Sequence, residues 1–413
     1  MKLRGCAENA SVSRRGLLGG LAGAGVATSL TFADPSFGDA GYPGDTLVVL
    51  SLRGGFDGLS AIAPIGDPDY YRARPSIGLP KSQVIAGDGT FGLHPALAPL
   101  LPLWNAGQLA AVHAVGQGNP TRSHFAAMEA MENAAPGTSI RTGWLDRMLG
   151  GTGASAPLAG VSLGHAMPAR LLAGPAPAVS MASIDKFTLA NDSAKRPIAA
   201  ALRRMYADAP LTQAGAALAA DKALTASASL RTAAYRSAAE YPATDLGTAL
   251  KDVARLIKAK SGLVTAAVDC GDWDMHDALG TAAKGQRMYD NLTGLATALA
   301  AFAADLGPAG MAAVTLLTIS EFGRRVAENA SRGADHGHGN AMLLLGGGIR
   351  GGKVYANWPG LAPNALVAGD LAVTTDYRSV IGELLQKRCG FGSLDAVFPG
   401  VKPSSFGLAA ARS

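Results

Sequence analysis

The sequence predicts an α/β fold built on a mainly parallel central sheet. Two observations carry that expectation. Short β-rich apolar runs alternate along the chain with longer stretches of helical character, the order that places helices between parallel strands. Several runs then end abruptly in glycines, carboxylates or histidines. Thr46–Leu52 leads into Arg53-Gly54-Gly55-Phe56-Asp57-Gly58, 263–268 into Asp272-Trp273-Asp274-Met275-His276-Asp277, and 313–319 into Ser320-Glu321-Phe322-Gly323-Arg324. Ligands of open α/β sheets bind outside the carboxyl ends of the strands. Remote segments would therefore deliver oxygen and imidazole donors to one rim.

Taken in order, 46–52 is a buried strand closed by a glycine pair. His94-Pro95 starts a helix to about residue 105, stopped by Gly107. A second strand, 109–115, ends at Gly116-Gln117-Gly118-Asn119-Pro120, and Ser123 follows as N-cap for a helix over 125–133. Thr142-Gly143-Trp144 opens a short helix through Leu149. From 154 to 183, apolar pieces broken by Pro and Gly read as strands or loop. Residues 196–260 are Ala-rich, nearly free of glycine and punctuated by Pro210 and Pro242. They predict two or three helices forming an insertion or cap. The sheet resumes at 263–268, a long helix covers 283–306, and 311–319 is another buried strand. Residues 341–345, with Gly346-Gly347-Gly348 and Gly351-Gly352, suggest strand, turn and strand. A helix over 376–389 and a tail over 401–413 complete a single domain spanning 41–400.

The chemistry-bearing side chains sit in the loops. Asp57, in a loop with Gly54, Gly55 and Gly58, is either a metal carboxylate or the Asp-Gly of an ordinary turn. Asp274 and His276 can face one ion from an extended loop, or belong to a hydrated acidic loop. Asp335-His336-Gly337-His338 pairs a carboxylate with two imidazoles and removes steric bulk between them. That donor set suits zinc, manganese or iron better than magnesium or calcium. Glu321, ending a buried strand, needs a cation or an arginine. Ser123 is a cap or, coordinated to metal, a nucleophile, with His124 beside it. Arg53, Arg122 and, unless it neutralises Glu321, Arg324 could contact a phosphate or sulfate. His94, His113 and His165 are isolated and read as packed or capping. No Gly-x-Ser-x-Gly elbow, Walker loop, dinucleotide fingerprint or haem motif occurs.

Ser13-Arg14-Arg15-Gly16-Leu17-Leu18 and the apolar, Gly/Ala-rich stretch behind it form a twin-arginine export pattern, with 1–33 as the signal peptide. The leader holds Lys2, Arg4, Arg14 and Arg15 against Glu8, so the net charge of +5 falls to about +2 in the remainder. No basic stripe is left for nucleic acid. Two cysteines remain beyond the leader, Cys270 and Cys389, which define no disulfide framework. No later apolar run is expected to span a bilayer.

Together these segments give the chain a likeness to a family. The loop 53–58, Ser123-His124-Phe125, Trp273-Asp274-Met275-His276, Ser320-Glu321-Phe322-Gly323-Arg324, Asp335-His336-Gly337 and Asp376-Tyr377-Arg378 resemble the motifs of the DUF1501 proteins. These are exported bacterial proteins placed with the alkaline phosphatase/sulfatase-like superfamily. The resemblance implies a three-layer sandwich with one or two divalent ions, zinc or manganese, at the carboxyl end of the sheet. It implies Asp57, Asp274, His276, Asp335 and His336 as ligands, with Glu321 and His338 as further candidates, and Ser123 as nucleophile. The expected activity is hydrolysis of small phosphate or sulfate esters in the periplasm or outside the cell, after export by the twin-arginine machinery. A non-catalytic binding or assembly protein on the same fold is the alternative.

Overall fold

The run Thr-Leu-Val-Val-Leu-Ser-Leu is apolar on both faces, and it forms the buried strand β1 (Thr46–Leu52) near the centre of the sheet. A strand covered on both sides reads as a continuous apolar run, as here. The computed structural model describes residues 42–412 apart from 120, 165–168, 194, 196 and 208–210; the expected leader and His165 lie outside the described residues.

A small antiparallel pair, β2 (Ile62–Ala63) and β3 (Gly92–Leu93), stands apart from the main sheet. The main sheet contains β1, β4 (Leu109–Gly116), β5 (Gly160–Leu163), β6 (Ala178–Met181) and β7 (Thr265–Cys270). β8 (Val314–Ile319), β9 (Asn340–Gly346), β10 (Val354–Tyr355) and β11 (Thr375–Asp376) complete its nine strands. Their order is β10-β4-β9-β8-β1-β7-β5-β6, with β11 also against β4. Every pairing is parallel except the two made by β9. That one reversal positions the site. The carboxyl ends of β1, β4, β7 and β8 and the amino end of β9 share a rim, so loops leaving the first four meet the loop entering the fifth.

Register sorts the core into two faces. Val49 lies beside Ala267 of β7 and Leu317 of β8, and all three enter the same apolar cluster. That face is covered by α1 (His124–Asn133), α2 (Trp144–Gly151) and the C-terminal helix Tyr377–Arg388, through Met131, Leu145, Met148, Val380 and Leu384. Val48, Leu50 and Leu52 point the other way. In chain order, the remaining described helices of eight residues or more are α3 (Ile198–Tyr206), α4 (Leu211–Thr232), α5 (Asp245–Lys258) and α6 (Arg287–Met311), so the C-terminal helix is α7. Leu250 and Val253 of α5 and Leu295, Leu299 and Phe302 of α6 cover the second face. The result is the three-layer α/β sandwich.

Three expectations need correction. The helical segment 196–260 is not wholly a cap, because α5 contributes a fully buried face to the main core. The 401–413 segment is no free tail: Leu408 and Ala409 are buried, Glu383 accepts hydrogen bonds from the backbone of 406–409, and Arg412 pairs with Asp45. One later helix, α6, is long and apolar enough by length and composition to cross a membrane, although 56% of its most apolar window is buried inside the protein. Cys270 and Cys389 are both free thiols.

Candidate metal centre

Each loop at the shared rim is held in place before it contributes a donor. After β4 the chain turns into α1, and Ser123 takes the N-cap, its Oγ accepting from the Ala126 N–H at 3.5 Å. His124 is therefore the first residue of the helix. After β7, buried Trp273 packs edge-on against Phe56 with ring centroids 4.8 Å apart, so Asp274 and His276 are presented from an anchored loop. After β8 the chain runs beside the segment entering β9: Gly323 N–H donates to His338 O, Gly337 N–H to Gly323 O, and Arg325 N–H to Asp335 O. The approach is close, since a Cβ on Gly337 would stand 2.4 Å from the Arg324 carbonyl carbon. Gly54 (φ +115°) permits a similar approach, 2.6 Å from the Asp274 nitrogen.

Four side chains converge there. His276 Nε2 lies 2.9 Å from His336 Nε2, and the Asp274 Oδ1 oxygen is 3.0 and 3.1 Å from those two nitrogens. His124 Nε2 faces the other Asp274 oxygen at 3.7 Å. The far side of each imidazole decides its proton. His124 Nδ1 meets Glu321 Oε1 at 2.8 Å, His276 Nδ1 meets Asp335 Oδ1 at 2.8 Å, and His336 Nδ1 meets the Arg122 carbonyl at 2.9 Å. Carboxylates and carbonyls only accept, so each neutral ring donates from Nδ1 and presents a bare Nε2. Three Nε2 atoms and a carboxylate thus point at one another, and either a metal ion or a proton on one of the rings can bridge them.

The donor set fits a metal ion. Imidazoles with a carboxylate are a zinc-type set: His124, Asp274 and His336 offer donor atoms within 4.8 Å of one another, and His276 Nε2 lies 2.9 Å from His336 and 3.0 Å from Asp274, near the spacing of about 3.3 Å between ligands at zinc bond lengths of about 2.0 Å. Orienting partners on the outer nitrogens are the usual support for ligating histidines. Charge agrees as well. Asp274, Glu321 and Asp335 outnumber Arg324, with Arg325 acting on Asp335 from beside the centre, so the donors themselves carry an excess of negative charge. Burial pushes the Asp274 carboxyl up, but hydrogen bonds from Arg324 and His336 outweigh it and hold it at about 2. Hydrogen bonds from His276 and Asn329 lower the Asp335 carboxyl. Phe322 lies against His124 and His336 on the inner side, whereas Asp274, His276 and Asp335 are roughly half exposed, leaving the centre open to solvent.

Several expected site residues do other work. Asp57 is not in the group. Its carboxylate takes two hydrogen bonds from the buried Arg74, at 2.6 and 3.0 Å, and one from Ser60, at 2.6 Å, which pairs it with an arginine away from the converging donors. Burial pushes that carboxyl up, and the Arg74 charge brings it below the usual range. Glu321 and Asp335 hold histidines instead of standing among the converging donors. Arg324 is no substrate arginine: it is buried, and its guanidinium donates to Gly54 O, Gly55 O, Trp273 O, Ala334 O and Asp274. Arg53 bridges Glu132 and Asp269. His338 is buried, with its Nε2 2.7 Å from the Gln117 carbonyl. Ser123 is exposed at the rim and serves as the cap.

His124 moves from a supposed helper of Ser123 to a full member of the centre. Asn329, which donates to Asp335 Oδ1 at 3.0 Å and to His276 O at 2.7 Å, gave no sign in the sequence. Phe322 was visible only as part of a motif.

The chain has remote likeness to three solved structures. The C-terminal periplasmic domain of EcEptC from Escherichia coli, in complex with Zn, is 10% identical over 73% of each chain, with a TM-score of 0.34. The PsFucS1 sulfatase from Pseudoalteromonas sp. is 12% identical over 90% of this chain and 74% of that one, with a TM-score of 0.39. The lipoteichoic acid synthase LtaP from Listeria monocytogenes is 10% identical over 86% and 79%, with a TM-score of 0.34. No curated protein matches the sequence. A family model described as "Protein of unknown function (DUF1501)" matches residues 45–381, and the chain belongs to that family.

Proposed function

We propose that this protein is an exported hydrolase of phosphate or sulfate esters that works with one divalent ion, zinc or manganese, held by His124, Asp274 and His336 with His276 beside them. The observation that carries the reading is the convergence of three bare Nε2 atoms on one carboxylate. A dication bound there would supply Lewis acidity and, with His124, Asp274 and His336 as its ligands and a further position left open on the solvent side, a more acidic bound water. The protein's own contribution is orientation: Glu321, Asp335 and the Arg122 carbonyl fix the histidine tautomers, Arg324 fixes Asp274, and Phe322 keeps water from the inner side. One ion is favoured over two because Asp57 is paired with Arg74 away from the converging donors. Export, to the periplasm or beyond the cell, is proposed from the Ser13-Arg14-Arg15 pattern.

A second reading keeps the ion and drops turnover, making the protein a binding or assembly component. The capping role of Ser123 supports it, since the hydroxyl is held at the helix end. Elemental analysis of the purified full chain, paired with a screen of aryl phosphates and aryl sulfates, separates the two. We expect one zinc or manganese per chain, lost together with ester cleavage in His336→Ala. Stoichiometric metal with no cleavage of any ester would move the conclusion to the second reading, and absence of metal would remove both.

A further inference from the structure

Beside the centre stands a second group of charges. Arg122 donates to Asp370 Oδ2 through Nε at 3.1 Å and Nη2 at 2.7 Å, and to the Ala368 carbonyl at 3.1 Å. Arg325 reaches the same two acceptors, Asp370 Oδ1 at 3.4 Å and Ala368 O at 2.9 Å. Two guanidiniums therefore share one carboxylate, which leaves an excess positive charge. The Asp370 side chain is only 3% exposed, whereas those of Arg122 and Arg325 are 42% and 39% exposed. Among the described residues neither Nη1 has a partner, so each guanidinium turns free donors toward solvent.

The support under this pair is built, not incidental. Val367 and Asp370 exchange both backbone hydrogen bonds, at 3.0 Å each, around a two-residue turn with Ala368 at φ +52° and Gly369 at φ +84°. Both central residues at positive φ define the tight hairpin turn, and alanine adopts that conformation at a cost. The strained Ala368 carbonyl is the one that accepts from both arginines. Position relative to the metal centre follows from His336. Its Nε2 faces the converging donors and its Nδ1 faces the Arg122 carbonyl, so Arg122 lies on the outer side of that ring. Arg325, whose N–H donates to Asp335 O, is adjacent to the same loop. The backbones of both arginines therefore lie beside the centre.

We propose that Arg122 and Arg325, set by Asp370, form an oxyanion subsite for a second anionic group on the substrate. The natural substrate would then be an ester bearing a further phosphate, sulfate or carboxylate. The word substrate rests on the hydrolase reading above; the subsite does not. Calorimetric titration of the zinc-loaded full chain with propyl phosphate and with propane-1,3-diyl bisphosphate tests it. The bisphosphate is expected to bind at least about tenfold more tightly, about 1.4 kcal/mol. That ratio should collapse in Arg325→Gln and in Arg122→Gln with zinc content retained, and persist in Arg203→Gln, an equal charge change on α3. Arg325→Lys, which keeps the charge over the same fold, should restore part of it. Equal affinities in the wild type, or a ratio that survives both glutamine changes, would overturn the proposal. Should the chain hold no zinc, the hydrolase reading falls, and bisphosphate binding to the metal-free chain decides the subsite alone. Weakening by Arg325→Gln but not by Arg203→Gln supports it; no weakening rejects it.

Discussion

A histidine whose Nδ1 is tied to an acceptor has one nitrogen left to offer, and three such histidines aim theirs at Asp274. The orienting carboxylates should thus matter nearly as much as the donors. Glu321→Gln is expected to lower zinc affinity about 10–100-fold with the fold intact, read by competition with a chelating dye. Asp274 makes a pH prediction. Its carboxyl is depressed to about 2, against about 3.9 in an unfolded chain, so it stabilises the metal-free protein above the unfolded value and loses that contribution as pH falls through the folded one. Between pH 5 and 2, urea midpoints of the metal-free protein should fall more steeply in the wild type than in Asp274→Asn. At this scale the sequence was a partial guide. That Asp274, His276 and His336 would lie together was legible because short spacing and glycines set them apart. His124 was misassigned because its neighbour Ser123 suggested a nucleophile. Asp57 misled for a different reason: Arg74, seventeen residues away, approaches it only in the folded chain.

Among the elements, that same pair links the loop after β1 to the turn after the short helix Pro68–Ala73, and Arg74 also donates to Arg325 O and Val326 O. Removing one partner of a buried ion pair strands the other. Arg74→Ala should cost about 3–5 kcal/mol in chemical denaturation, while the protein that remains folded keeps its metal. Loss of zinc in step with a mild stability change would instead return Asp57 to the ligand set. Strands and helices were legible from apolar runs and capping residues; Ser123 as N-cap and the 46–52 strand are examples. Two features were hidden. The reversal of β9 leaves no trace in composition, because a strand buried on both faces reads alike in either direction. The place of α5 in the core was masked by its Ala-rich neighbours in the same segment.

For the whole molecule, a bound ion would join segments separated by more than two hundred positions, from His124 to His336. An ion that binds only the folded chain stabilises it by mass action, about 4.1 kcal/mol at a thousandfold excess over its dissociation constant. Thermal unfolding should accordingly shift upward with added zinc in the wild type and not in His336→Ala. Truncation after Gly400 is expected to lower Tm by several degrees, because it removes buried Leu408 and the backbone donors that surround Glu383. The clamp formed by Asp45, Arg388 and Arg412 lies where β1 begins, across the sheet from the metal loops. Both ends of the described chain therefore leave the molecule from its back. An export leader, a membrane tether or an affinity tag fused to either terminus would trail behind the protein and leave the candidate metal centre unobstructed.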